Sequence, residues 1–291
     1  MEDWIKAGKI ASKAREYGCS LIVEGEKLET VMDKVEEFIL KEGAKPAFPA
    51  QISLNNIAAH YTSPPGDVLV FEKGDICKLD LGVCVNGAIA DTAITKEIGD
   101  KNKELVEASK AALDAAIKII KPGIQLKEIG KVIEKEITSR GFNPIRNLSG
   151  HGLGEYQIHT GDSIPNYDNG DETELKEGDT IAIEPFATTG NGFIKEGKLS
   201  TIYRVVNTKP TRSPTSRKVF AHIIEEYKTL PFCLRQLNKK FNQMQVRLAI
   251  NELERAGNLY HYTQLPEASD GLVSQHEHTL IVKEKPIVTT L

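Results

Sequence analysis

Asp80 and Asp91 belong to a stretch, Ile76 to Ala93, whose pattern places both carboxylates on one face of a β-hairpin. Asn86 and Gly87 supply the turn, since both tolerate the positive φ of a two-residue type I′ loop, and they set Val85 opposite Ala88. Counting outward pairs Gly82 with Asp91 and Asp80 with Ala93, so the two acids are diagonal neighbours, roughly 7–8 Å apart at the backbone. Cys77, Leu79, Leu81 and Val83 alternate with the other face and predict a side turned to a core. Carboxylates this close repel unless one is protonated or a cation lies between them, so the pattern suits a divalent metal. The plainer alternative is a half-buried hairpin with two acids in water. Gly82 weighs against it, because a glycine inside a strand marks close approach of a ligand or another backbone.

Three further segments bring matching chemistry. Ser149 to His159 sets three glycines around His151, an arrangement read as keeping bulk away from a histidine that needs access. Thr180 to Phe186 is an apolar strand that ends in Glu184, with Pro185 stopping the pairing; an acid there requires a partner. Leu272 to Val282 is strand-like with Glu277 in its middle. Four acids and one imidazole, buried together without cations, would repel prohibitively; two divalent ions would neutralise them and leave room for one hydroxide. Two metals about 3.5–4 Å apart suit hydrolysis, since a water between them loses a proton near neutral pH while a carbonyl is polarised. One histidine among hard oxygens favours manganese, iron or cobalt over a thiolate zinc site.

The elements that must position these residues follow an order that repeats. Helical spacing runs over about 3–17 and 28–41, then comes a Pro- and Asn-bearing stretch ending at His60, the turn Ser63 to Asp67, and the hairpin. Helices over about 101–121 and 126–140 follow, stopping at Pro122-Gly123 and Gly141, and strands come again. Two helices then strands, twice over, predict a pseudo-symmetric α/β (α+β) fold with the site between halves. From 207 to 262 the pattern changes to helices at about 214–227 and 242–256 and a short strand near 259–262, read as an inserted, winged-helix-like subdomain; the catalytic part is then 1–206 with 263–291. The insert mixes basic residues with Glu225, Glu226, Glu252 and Glu254, which argues for a structural or pocket-forming role over nucleic-acid binding.

Composition bounds the rest. The chain has 291 residues, with 37 basic and 41 acidic side chains and a net charge of −4, so its field draws neither nucleic acid nor a membrane surface. Cys19, Cys77, Cys84 and Cys233 form no CxxC pair, which fits a reducing cytoplasm. The opening residues lack the order of a signal peptide, and no apolar run approaches the roughly 18 residues of a membrane span, so a soluble, cytoplasmic protein is expected.

The ordered set Asp80, Asp91, His151, Glu184 and Glu277 resembles the five ligands of the pita-bread metallopeptidases. Ser53–Thr62, Leu79–Ala93, Ile158–Gly161, Ala182–Phe186 and Gln275–Thr279 look like the motifs of type II methionine aminopeptidase, and the likeness covers nearly the whole chain. The helices between Glu184 and Glu277 match the insert of type II, and a long N-terminal extension is missing, as in the archaeal form. The resemblance implies a pita-bread fold, an antiparallel sheet flanked by helix pairs. It implies two divalent ions per chain, drawn from cobalt, manganese, iron, zinc and nickel. Asp80 would chelate one ion, His151 and Glu184 the other, and Asp91 and Glu277 would bridge, with Glu184 also the general base. His60 and His159 match catalytic histidines that contact the scissile peptide and the oxyanion. Phe48, Ile158, Phe186, Ile202 and Tyr262 match the wall of a methionine pocket, and Pro231 its rim.

The implied reaction removes an initiator methionine from a nascent polypeptide when the next residue is small. Glu2 is too large for that rule, so Met1 should be retained. A monomer with transient ribosome contact is expected, without sequence-specific nucleic acid. The alternatives are an Xaa-Pro peptidase of the same fold and a non-catalytic ribosome- or RNA-binding paralogue; such paralogues lose metal ligands, and all five positions are filled here. One departure is His276, where the family carries an apolar residue. Strand alternation turns it away from the metals, unless a bulge brings it back.

Overall fold

Helices α1 (Glu2–Leu21) and α2 (Leu28–Lys41) open the chain, in a computed structural model that describes residues 1–291, the side chain at position 162 excepted. Each buries one stripe: Ala7, Ile10, Ala11 and Ala14 from α1, and Leu28, Val31, Met32, Val35 and Ile39 from α2. Helix α1 runs past the expected stop near residue 17. Gly18 explains the fit, since a side chain there would strike Leu79 and Val35.

Strands β1 (Lys45–Leu54), β2 (Ile57–Ala59), β3 (Ile76–Val85) and β4 (Ala88–Glu97) follow, and β1, β3 and β4 form one sheet in that order. The hairpin has the expected register, with Val85 opposite Ala88, Gly82 opposite Asp91 and Asp80 opposite Ala93. Asn86 and Gly87 take φ of 50° and 98°, the left-handed values that the turn needs. Leu79, Leu81 and Val83 enter the apolar cluster with α1 and α2, as their alternation predicts. Strand β1 was not legible as a strand, because its prolines read as a loop; Pro46 sits at one of its irregular pairings.

The second half repeats the layering. Helices α3 (Lys103–Ile119) and α4 (Leu126–Thr138) precede β5 (Asn143–Pro144), β6 (Ser149–Gly154), β7 (Gln157–Pro165), β8 (Thr180–Ile183) and β9 (Phe186–Thr188). Then come β10 (Leu199–Val205), α5 (Pro214–Tyr227), β11 (Phe232–Cys233), α6 (Leu234–Asn238), α7 (Gln243–Arg255) and β12 (Leu259–Thr263). The chain closes with β13 (Leu265–Pro266), β14 (Val273–Gln275), β15 (His278–Ile281) and β16 (Ile287–Val288). A five-stranded sheet runs β16-β15-β8-β6-β7, and α3 and α4 pack on it through Leu105, Ile129, Ile133, Ile181, Ile183 and Leu280. A third sheet, β11-β10-β12, carries α5 and α7 around Val219, Ile223, Val246, Ile250 and Leu253.

The run Thr180 to Phe186, whose pairing is expected to end at Pro185, and the run Leu272 to Val282, expected as one strand, are each interrupted. The first divides into β8 and β9 around Glu184-Pro185, and the second into β14 and β15 around His276-Glu277. The breaks face each other: His278 pairs with Ile183 on one side and Gln275 with Phe186 on the other. Pro185 has no N–H to give, so the ladder stops there, but pairing resumes at Phe186 in a different sheet rather than ending. Glu277 turns its backbone to β4 instead, exchanging hydrogen bonds with Ala93 at 3.0 and 3.4 Å. The two halves thereby meet beside Asp91. Among the described residues no helix is long and apolar enough to cross a membrane.

Candidate metal centre

The hairpin brings Asp80 and Asp91 to the same face, and the two strand breaks aim Glu184 and Glu277 at them from the other half. All four line one cavity of about 460 Å3, together with His151. Asp91, His151 and Glu277 each bring one possible ligand atom within 4.8 Å of the others. His151 Nε2 lies 3.8 Å from Asp91 Oδ2 and 3.7 Å from Glu184 Oε1. Its other nitrogen points at the Gly152 carbonyl at 3.3 Å, and a carbonyl only accepts, so Nδ1 carries the proton and the Nε2 lone pair faces the space it shares with the acids. Burial, and then His159, push His151 down to about 3.

The electrostatics ask for a cation. Burial pushes the Asp80 carboxyl up to about 7, against a hydrogen bond from Gln275. Asp91, Glu184 and Glu277 are all driven well above the carboxylate range, first by burial and then by their neighbours' charges. Asp80 Oδ1, Asp91 Oδ1 and Glu277 Oε1 are buried acceptors with no hydrogen-bond partner among the described residues. Orphaned carboxylate oxygens around a neutral imidazole nitrogen are a hard donor set, which a divalent ion fits and a solvated hairpin does not.

Every residue singled out in the sequence for this site lines the same cavity: Phe48, His60, Ile158, His159, Phe186, Ile202, Pro231 and Tyr262 lie there with the acids and His151. His60 takes the left-handed region, φ 67°, and is held there from three sides. Its N–H donates to Gln51 Oε1 at 2.7 Å, its carbonyl accepts from Ser200 Oγ at 2.6 Å, and its Nδ1 meets the Thr263 carbonyl at 3.0 Å. Burial lowers His60 to about 4, so the ring is neutral at pH 7 with Nε2 unprotonated. The His159 ring lies 4.4 Å from that of His151, and Tyr262 stands edge-on to His60 at 5.3 Å.

Two readings change in detail, both at glycines, and the one at His276 holds. The glycines beside His151 serve strand packing rather than access, since a Cβ at Gly150 would meet the Ala182 carbonyl and one at Gly152 the Thr160 carbonyl. Gly82 makes room for the Phe48 ring, not for a backbone. His276 keeps to the far side, where its Nδ1 meets Ser109 Oγ of α3 at 2.9 Å.

Two supporting residues were missed. Gln275 donates from Nε2 to Glu184 Oε2 at 3.2 Å, and Gln51 holds His60. Gln275 stands two positions before Glu277 in a strand-like run, so period-two alternation gave a signal for it; nothing local marks Gln51. Thr279 Oγ1 accepts from the Asp91 N–H and donates to its carbonyl, both at 2.8 Å, which fixes β4 against β15 beside the acids.

The model of metallopeptidase family M24 matches residues 2–283. The chain belongs to this family. A methionine aminopeptidase of Pyrococcus horikoshii is 48% identical over 287 residues, spanning 98% of this M24 chain and 97% of that protein. The crystal structure of a methionine aminopeptidase from Thermotoga maritima superposes with a TM-score of 0.71 at 27% identity, covering 99% of this chain and 95% of that one. A thermophilic Arx1 superposes with a TM-score of 0.86 at 18% identity, over 99% and 90% of the two chains, a likeness of fold alone. The helix pairs on antiparallel sheets are thus the pita-bread arrangement of M24.

Proposed function

We propose that this M24 chain is a methionine aminopeptidase that removes the initiator methionine from nascent polypeptides whose second residue is small. The observation that carries the reading is the convergence of Asp80, Asp91, His151, Glu184 and Glu277 on one cavity with His60 and His159, in a chain 48% identical to a methionine aminopeptidase. Asp80 would hold one divalent ion and His151 with Glu184 a second, with Asp91 and Glu277 shared; cobalt, manganese, iron, zinc and nickel are the candidates. Bound there, the ions would polarise the scissile carbonyl and make a water acidic enough to attack at neutral pH.

The residues of the chain do the rest. Glu184, with one oxygen engaged by Gln275, takes the proton of the attacking water and passes it to the leaving amine. His60 keeps its Nδ1 proton on the Thr263 carbonyl, so its Nε2 accepts from the scissile N–H. His159 donates to the developing oxyanion, where a positioned donor lowers the barrier most. Phe48, Ile158, Phe186, Ile202 and Tyr262 wall the pocket for the flexible thioether, and Pro231 forms its rim. In this reading residues 207–262 are an insert that shapes the pocket, and the protein works in the cytoplasm as a monomer, with transient ribosome contact.

A peptide panel tests it. Protein reloaded with each metal in turn should release methionine from Met-Ala-Ser, leave Met-Glu-Ser intact and leave Ala-Pro-Ser intact. Cleavage of Ala-Pro-Ser alone would replace the reading with an Xaa-Pro peptidase, and no cleavage at any loading would point to a binding protein.

A further inference from the structure

Helix α6 of the insert is tied to α2 by a buried ion pair that no catalytic role uses. Arg235 and Glu36 are each 3% exposed. The guanidinium engages the carboxylate with both arms, Nη2 to Oε1 at 2.7 Å and Nη1 to Oε2 at 3.1 Å. At the edge, Asp33 accepts from Arg235 Nη1 at 2.6 Å and pairs with Lys239 at 2.7 Å.

The pair reaches the cavity through backbone. Glu36 Oε1 accepts from the Ala50 N–H at 3.2 Å. Arg235 Nη2 donates to Thr62 Oγ1 at 3.4 Å, and that hydroxyl donates to the Ala50 carbonyl at 2.9 Å. Ala50 lies just beyond Phe48 on β1, and Thr62 just beyond His60. On the insert side, Cys233 beside Arg235 pairs in register with Ile202, and Leu230, next to Pro231, packs in one apolar cluster with Phe48 and Ile158. Phe48, Ile202, Pro231 and His60 all line the catalytic cavity.

A buried ion pair is weak evidence of added stability. Desolvating two charges costs about as much as their attraction returns, and well-packed apolar replacements are often neutral. Arg235 Nε is buried without a hydrogen-bond partner among the described residues, which adds to the cost. What a bidentate pair supplies, and an apolar contact does not, is one fixed geometry.

We propose that Arg235 is a positioning residue for methionine selection: with Glu36 it sets the spacing between the wall formed by Ile202 of β10 and Pro231 of the insert and the Phe48 wall. The inference rests on the methionine aminopeptidase reading. It is tested with Arg235→Lys, which keeps the charge but loses the fork, and with the double variant Arg235→Met, Glu36→Met, which leaves no stranded charge. Steady-state kinetics on Met-Ala-Ser and Leu-Ala-Ser are read with metal content and thermal unfolding. Both variants should fold and bind metal as the wild type does. KM for the Met peptide should rise about tenfold in the double variant with kcat within about threefold, and the preference for Met over Leu should shrink about tenfold, the scale on which pockets discriminate apolar side chains. Arg235→Lys should fall between. Wild-type KM and preference in either folded variant would overturn the proposal. So would a loss confined to kcat and metal content, or failure of both variants to fold, which would make the pair a stability element. A wild-type protein that leaves Met-Ala-Ser uncut would reject the methionine reading itself.

Discussion

At the scale of the residue, the site is a set of groups held in costly states that a divalent ion would relieve. Asp80 rises to about 7 through burial, and Asp91, Glu184 and Glu277 are pushed up by burial and by one another. Carboxyls raised in this way hold their protons to higher pH than ordinary carboxylates, and an ion must displace them, whereas the His151 ring, lowered to about 3 by burial, is neutral. The sign follows: with folded values raised, protons compete with the ion, so metal affinity should climb as pH rises through about 7, the Asp80 value. Calorimetry in buffers of different ionisation enthalpy should report net proton release when an ion binds at pH 7. Binding without proton release would contradict the arrangement. The two histidines outside the proposed ligand set behave differently. His60→Ala and His159→Ala should keep metal content near wild type while turnover falls about 10²–10³-fold, the cost of losing a positioned hydrogen bond. Metal loss in either variant, measured by elemental analysis, would place that histidine among the ligands. Asp80 and Asp91 were legible from strand alternation and His151 from its glycines, whereas His60 reads alone as a loop histidine and it and His159 were singled out only through the family resemblance; Gln51 was not legible, since its partner, the His60 backbone N–H, is defined only by the left-handed turn at that residue.

Elements turn those residues into a site. The β3–β4 hairpin was readable to the register because a two-residue turn fixes it, and the four flanking helices were readable because each buries one stripe. The stop at Pro185 was readable, but the resumption of pairing at Phe186 and the break at His276-Glu277 were not, since the change of sheet depends on what lies across it. Strand β10 was missed for a related reason: its pairing partners, β11 and β12, come only after intervening helices. The glycines of β6 belong to this scale. Gly150 lies against the Ala182 carbonyl of β8, so Gly150→Ala should force β6 away from β8 and cost roughly 1–3 kcal/mol, as overpacking does. A fall in the urea midpoint at unchanged slope would register it. An unchanged midpoint would mean that the strands have room to spare and that the glycine serves access after all.

For the whole molecule, the division of labour lies between halves that each have their own core. Asp80 and Asp91 come from a sheet backed by α1 and α2, and His151 from a strand, with Glu184 and Glu277 from strand breaks, in the half backed by α3 and α4. The acids meet beside the backbone hydrogen bonds that Ala93 and Glu277 exchange, so the centre depends on the halves docking in one register. The sequence carried the repeated order of two helices then strands, but not the docking itself, which rests on contacts between distant segments such as Thr279 with Asp91. The most direct test of the central claim is to titrate metal-stripped protein with manganese or cobalt and follow free methionine released from Met-Ala-Ser, with Glu277→Ala in parallel. The account predicts release that is absent without metal, rises with loading up to about two equivalents, and is largely lost in the variant together with metal occupancy. Methionine release by the stripped protein, or full activity and occupancy in Glu277→Ala, would contradict it.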